Sequence, residues 1–261
     1  MRATRLHLAA VIAATLGLSF LPPRPAAAAA PELLDLGRFT LTQDGQPARI
    51  EEFSFQSYGD SLVVRAASSP WRENEADLRF DKHMQLVVDA RDFELIGYSS
   101  QYATRTDTLS RGISLERGDT TFTLWREHNG RGTGDVWARP PGRMYVLDAP
   151  LFTLFGYVGW TMQGRTFDRR PVNILVLAGR DTLIEGTVTD AGTEKLVWNG
   201  QEVEARKLLV GDERTTVTAW FTGDGHMLRL VEERGGIRAE RDAPVAEEPP
   251  ARKEEPPPGT K

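Results

Sequence analysis

The chain has 261 residues, 32 basic and 37 acidic, and no cysteine. The lack of cysteine excludes disulfide stapling and thiolate metal sites, so stability must come from a hydrophobic core. The acidic balance argues against nucleic acid or an anionic membrane surface as a partner.

Residues 1–30 read as a Sec-type signal peptide. Arg2 and Arg5 open it, the apolar run LHLAAVIAATLGLSFL (6–21) follows, and an A-x-A pattern stands at Ala28–Ala30. Cleavage near Ala30 predicts a periplasmic or secreted protein. It also removes three arginines and no acid, taking the net charge from −5 to −8. No cysteine follows to carry a lipid anchor.

From Gly37 onward the period is two, the mark of strands with one face in a core and one in water. GRFTLTQ (37–43) puts Phe39 and Leu41 on one face, and IEEFSFQSY (50–58) points Phe53 and Phe55 inward. SLVVRAASS (61–69) comes next. In ADLRFDKHMQLVVDA (76–90), Leu78, Phe80, Met84, Leu86 and Val88 share one face, and Asp77, Arg79, Asp81, His83 and Gln85 the other. FELIGYSSQYAT, GISLER and TTFTLWREH continue the pattern to residue 128. HNGRGTGDVW (128–137) is Gly-rich and has no helix start after it, so it reads as a flexible hairpin loop and not a phosphate cradle.

The alternation stops at YVLDAPLFTLFGYVGWTM (145–162). On a helical wheel Leu151, Leu154, Phe155, Val158 and Met162 share one face, with Thr153, Tyr157 and Trp160 roughly opposite. Asp148 suits an N-cap, and Pro150 is tolerated in the first turn. The spacing predicts a helix over about 148–162, with two shorter helical turns broken at the glycines as the alternative. A helix apolar on nearly all sides is a buried one, and this one is too short to span a bilayer.

Further short strands run from VNILVLAG (172–179) to GIRAER (236–241), with breaks such as DAG (190–192), Asn199-Gly200 and GDG (223–225). Asn-Gly between two alternating runs is a strong hairpin signal. DAPVAEEPPARKEEPPPGTK (242–261) is too polar to offset its ordering entropy and reads as a disordered Pro/Glu-rich tail. The fold class is therefore mainly β: residues 31–241 form a single domain, a large antiparallel meander curved into a half-barrel or barrel around one central helix.

The residues offer little chemistry. His83, His128 and His226 are far apart, with no metal-ligand spacing, and no nucleophile motif such as G-x-S-x-G is present. No catalytic residue, metal site or cofactor is expected, and the reading leans away from an enzyme. Most of the six tryptophans belong in a core or in cross-strand pairs, and a minority lining a groove would suit a lipid or a sugar.

In its order of pieces, LDAPLFTLF, then LVWNGQEVEARKLLV, then TAWFTGDGHMLRLVEE, the chain resembles a group of exported β-rich bacterial proteins known only as domains of unknown function. That likeness implies no reaction, ligand or catalytic residue. The general plan is also similar to the half-barrels of envelope lipoprotein carriers, an analogy of fold alone.

Two functional expectations result. In the first, the protein is a non-enzymatic binder or carrier of a lipid or other hydrophobic molecule, held between sheet and helix by Leu151, Phe152, Leu154, Phe155, Val158 and Trp160. In the second it is a structural or protein-interaction module of the envelope with a solid core, whose partner takes an exposed edge strand or the tail. An envelope hydrolase is a remote third. An integral membrane barrel is disfavoured by the charge carried on the strands.

Overall fold

The computed structural model of the chain describes residues 30–72 and 80–243. The expected signal peptide up to residue 29, positions 76–79 of the strand expected over 76–90, and all but the first two residues of the expected tail lie outside the described residues. The strands are β1 (Glu32–Gln43), β2 (Gln46–Ser57), β3 (Ser61–Pro70), β4 (Lys82–Asp89), β5 (Leu95–Ala103), β6 (Thr108–Ser114), β7 (Thr121–His128), β8 (Arg131–Ala138) and β9 (Met144–Leu147). After the helix α1 (Thr153–Met162) come β10 (Arg169–Val176), β11 (Thr182–Trp198), β12 (Gln201–Gly211), β13 (Thr216–Phe221), β14 (Met227–Glu232) and β15 (Ile237–Arg241). No helix among the described residues is long and apolar enough to cross a membrane.

All fifteen strands form one sheet, in the order β8-β7-β6-β5-β4-β3-β2-β1-β15-β14-β13-β12-β11-β10-β9. Every pairing is antiparallel except β9 with β10. The two ends of the domain meet in the middle of the sheet, with Leu41 of β1 opposite Ala239 of β15. The two edge strands, β8 and β9, are consecutive in the chain. Laid flat, such a sheet would be about 65–70 Å wide. The short connection from β8 to β9 spans about 20 Å at most. The sheet must therefore roll up until its edges are near each other, giving an open, curved half-barrel, one of the two forms expected for the meander.

The inner face carries the apolar set: Phe39 and Leu41, Phe53 and Phe55, Leu62 and Val64, Met84, Leu86 and Val88, and on the far side Val188, Leu208, Ala219 and Leu230, all buried. α1 lies against this face, and every one of its residues but Trp160 is buried. Phe55 stacks on Trp160 at 5.7 Å, and Tyr145 of β9 meets Tyr157 edge-on at 5.7 Å.

Three local expectations are revised. The helix begins at Thr153, with Phe152 at its N-cap, because the Asp148 carboxylate is engaged elsewhere and a residue before proline is steered away from helical backbone. The run 128–137 is not a loop. Asn129 and Gly130, at φ 49° and 77°, make a two-residue turn, and the residues after it form strand β8. The pieces 182–190 and 193–198 are one long strand, β11, with a register shift between Asp190 and Thr193. Beyond that shift the β11–β12 hairpin forms, with β13 and β14, a second small core of Leu196, Ala205, Trp220 and Leu228. Trp198 Nε1 donates to the Arg241 carbonyl there at 2.8 Å.

Candidate functional site on the outer face of the sheet

The residues singled out as ligand anchors all lie in the core. Leu151, Phe152, Leu154, Phe155 and Val158 are buried, and Trp160 is half-buried. The space between helix and sheet, lined by Phe39, Phe53, Phe55, Gly156, Trp160 and Met227, admits no water molecule. As packed, these side chains fill the hollow themselves.

The helix is also fixed at both ends and at its approach. Glu51 of β2, fully buried, accepts the N–H groups of Phe152 and Thr153 at 2.8 and 2.9 Å. Burial raises its carboxyl above the usual range despite these hydrogen bonds, since no cation compensates fully. At the other end, Arg206 Nη1 of β12 donates to the Met162 carbonyl at 2.9 Å.

Just before the helix, Asp148 is a fully buried hub. Its Oδ1 lies 2.5 Å from Lys82 Nζ and 3.1 Å from Arg111 Nη2, and its Oδ2 accepts from Tyr98 Oη (2.7 Å) and Ser100 Oγ (2.6 Å). Lys82 Nζ also donates to the Ala149 carbonyl at 2.6 Å. Burial lowers the Lys82 pKa, opposed by the Asp148 charge, and burial together with Asp148 raises the Tyr98 phenol well above its ordinary value. The cluster is sealed and every lone pair of the carboxylate is used, so it serves as an anchor and presents no group to a substrate.

The histidines do not converge. His83 is on the outer face of β4, and His128 is at the tip of the β7–β8 hairpin beside Asp107. His226 lies before β14, its Nδ1 2.9 Å from Asp35 Oδ2 and its Nε2 3.1 Å from Asp224 Oδ2. Among the described residues no cluster of His, Cys, Asp or Glu could hold a metal ion.

A second feature of chemical interest lies on the opposite face of the sheet. A shallow trough of about 610 Å³ crosses β2–β6, with Leu36 of β1 and Trp125 of β7 in its lining. Cross-strand register explains its lining. One row runs Leu36, Ser54, Arg65, Gln85, Ser99, Gly112, Trp125 across seven strands. A parallel row runs Glu52, Ala67, His83, Gln101, Ser110. The middle of both rows is built of short or flexible polar side chains, and Leu36 and Trp125 stand at the two ends. The Trp125 indole lies against the backbone of Gly112, where any Cβ would collide with it and with the Tyr98 carbonyl. Arg65 is held in place by Gln85 Oε1 at 3.1 Å and Gln56 Oε1 at 2.5 Å.

The trough residues belong to the polar half of the alternation, which marks only a solvated face. The signal for them is Trp125 itself: Phe122 and Leu124 set the inward parity of β7, so this tryptophan is assigned to the water side. Compared with known protein families, with curated proteins and with solved structures, the chain matches none.

Proposed function

We propose that the protein is an exported, non-enzymatic binding module whose ligand lies along the outer trough, and that this ligand is a neutral polyhydroxylated chain of the oligosaccharide type. The observation that carries this is the contrast between the two faces. Between the helix and β1, β2 and β14 no water-sized space remains, whereas the outer side offers an open trough with an indole at one end and hydroxyl, amide and guanidinium groups along it. Neighbouring strands repeat those groups about every 4.8 Å, which suits a ligand with hydrogen-bonding groups along its length. An open trough suits a chain running across strands better than an enclosed small molecule. Aromatic faces take the apolar faces of such rings, and paired amides and hydroxyls take their edges.

Carriage of a lipid beneath the helix would need the helix to leave a seat held by Glu51, Arg206 and the Asp148 cluster. The test titrates the protein with a panel of neutral hexasaccharides by calorimetry and, in parallel, with a fluorescent fatty acid. At least one hexasaccharide should bind, and Trp125→Ala, with its fold checked by circular dichroism, should weaken that binding about tenfold. Silence across the panel, or binding that Trp125→Ala leaves unchanged, would sink the proposal. Fatty-acid binding with no saccharide binding would return the ligand to the helix side.

A further inference from the structure

Edge strand β8 is unusually bare. It pairs with β7 on one side in unbroken register from Thr121–Ala138 to His128–Arg131. Arg139 donates its N–H to the Thr120 carbonyl, so the odd-numbered residues turn their backbone groups toward β7. The N–H and C=O groups of Gly132, Gly134, Val136 and Ala138 therefore point away from the sheet. Natural edges are blunted by charged side chains, above all lysine, by proline, by bulges or by a covering element, and the only charges on β8 are Arg131 and Asp135, of opposite sign. β8 has no proline, lysine or register shift, and residues 131–136 are all exposed, with Val136 at 72 %. The opposite edge, β9, is only four residues long, with three of them buried.

We infer that β8 is a self-association edge: two copies of this chain join antiparallel through β8 about a two-fold axis at Thr133. The charges choose both the occupant and the register. With Thr133 opposite its own copy, Arg131 faces the partner's Asp135 and Asp135 faces the partner's Arg131. Sliding the axis to Asp135 would set Asp135 against itself and Arg131 against Arg139, which like-charge repulsion disfavours. Placing it at Gly134 leaves both charges facing uncharged residues. Within one chain Arg131 makes no ion pair among the described residues, whereas Asp135 has only an exposed contact of 3.4 Å with Arg126. In the chosen register Gly132 and the partner's Gly134 exchange two backbone hydrogen bonds, and symmetry doubles them. The two glycines leave the outer side of the joint free of side chains. The contact is small, so the dimer is a weak one.

Sedimentation velocity across a concentration series tests this. The wild-type chain should shift from monomer to dimer with a Kd of about 10–500 µM, as suits an interface below the size of stable complexes. Arg131→Asp should abolish the shift, and Arg131→Asp combined with Asp135→Arg should restore it. Gly134→Pro, which removes an outward N–H without touching the β7 ladder, should also give a monomer. Circular dichroism and unfolding midpoints check that each variant is folded. A wild-type chain that stays monomeric throughout overturns the inference. So does a dimer that survives both Arg131→Asp and Gly134→Pro.

Discussion

Glu51 of β2 and Arg206 of β12 hold opposite ends of the same ten-residue helix, the first at its N-terminal amides and the second at its last carbonyl. Each carries the charge that complements the dipole at its end. The helix has no side-chain cap of its own, so the sheet supplies both.

Truncating Glu51 should therefore be costly. Glu51→Ala leaves the buried amides of Phe152 and Thr153 without acceptors, at about 1–3 kcal/mol each. Denaturant unfolding should show a loss of at least the lower figure, with Glu51→Gln recovering part of it through its single amide oxygen. The same carboxyl sets a pH dependence. Burial raises its pKa above 4.5, so the folded state holds that proton more tightly than the unfolded chain. Stability from this group is greatest below 4.5 and is lost as pH rises through the raised value. The gap between wild type and Glu51→Gln should narrow over that rise, and a gap that widens would contradict the assignment.

The Asp148 hub predicts an asymmetry. Asp148→Ala leaves Lys82 buried without its carboxylate, whereas the half-buried Arg111 keeps Asp181 at 3.6 Å, and the change should cost about 3–5 kcal/mol, as breaking a buried pair does. Lys82→Met removes a buried ammonium while Arg111, Tyr98 and Ser100 still serve Asp148, so it should cost clearly less. Unfolding midpoints of the two variants, measured side by side, decide it. Equal losses would mean that Lys82 alone holds the hub.

Two helix glycines should respond in opposite directions. A Cβ on Gly156 would sit 3.6 Å from Phe55 and 3.8 Å from Met227, in ordinary contact. Gly156→Ala should therefore gain up to about 1 kcal/mol of helix propensity. A Cβ on Gly159 would overlap the Phe221 ring. Gly159→Ala should lose about 1–3 kcal/mol to overpacking despite the same propensity gain. Thermal melts that rank the two the other way would refute this packing.

His226 should titrate late. The Asp35 carboxylate beside it raises its pKa above 6.5, outweighing burial, with Asp224 adding to the rise and Arg241 opposing it. Its stabilising contribution is complete below 6.5 and fades as pH climbs through the raised value. NMR titration of the imidazole should give a midpoint above 6.5 in the wild type and a lower one in Asp35→Asn. The Asp35→Asn change should also flatten the loss of stability on the alkaline side.

The meander, its inward faces and the buried helix were legible because period-two alternation and an all-round apolar run each have one structural solution. β8 was harder to see, since Gly132 and Gly134 carry no hydrophobicity to alternate, although Asn129-Gly130 announces its turn. Lys82 and Glu51 stand at inward positions of their strands, beside Met84 and Phe53. A charge there signals a buried partner, but only the fold says which, because Asp148 is more than sixty residues from Lys82. The trough was hidden for a different reason. Its residues are those of any wet sheet face, and only their alignment across successive strands gathers them.

The meeting of β1 and β15 in mid-sheet makes the chain a circular permutant of a simpler object. A version that began at residue 144 and ended at 138, with its present ends linked between Arg241 and Glu32, would place β8 and β9 at its termini. Every strand would then pair with its neighbour in the chain, save for the crossover through α1. The one pairing that now joins positions some two hundred residues apart, Leu41 with Ala239, would become a local hairpin. Local contacts form sooner than distant ones, so the rearranged chain should reach the same rolled sheet faster than the natural one.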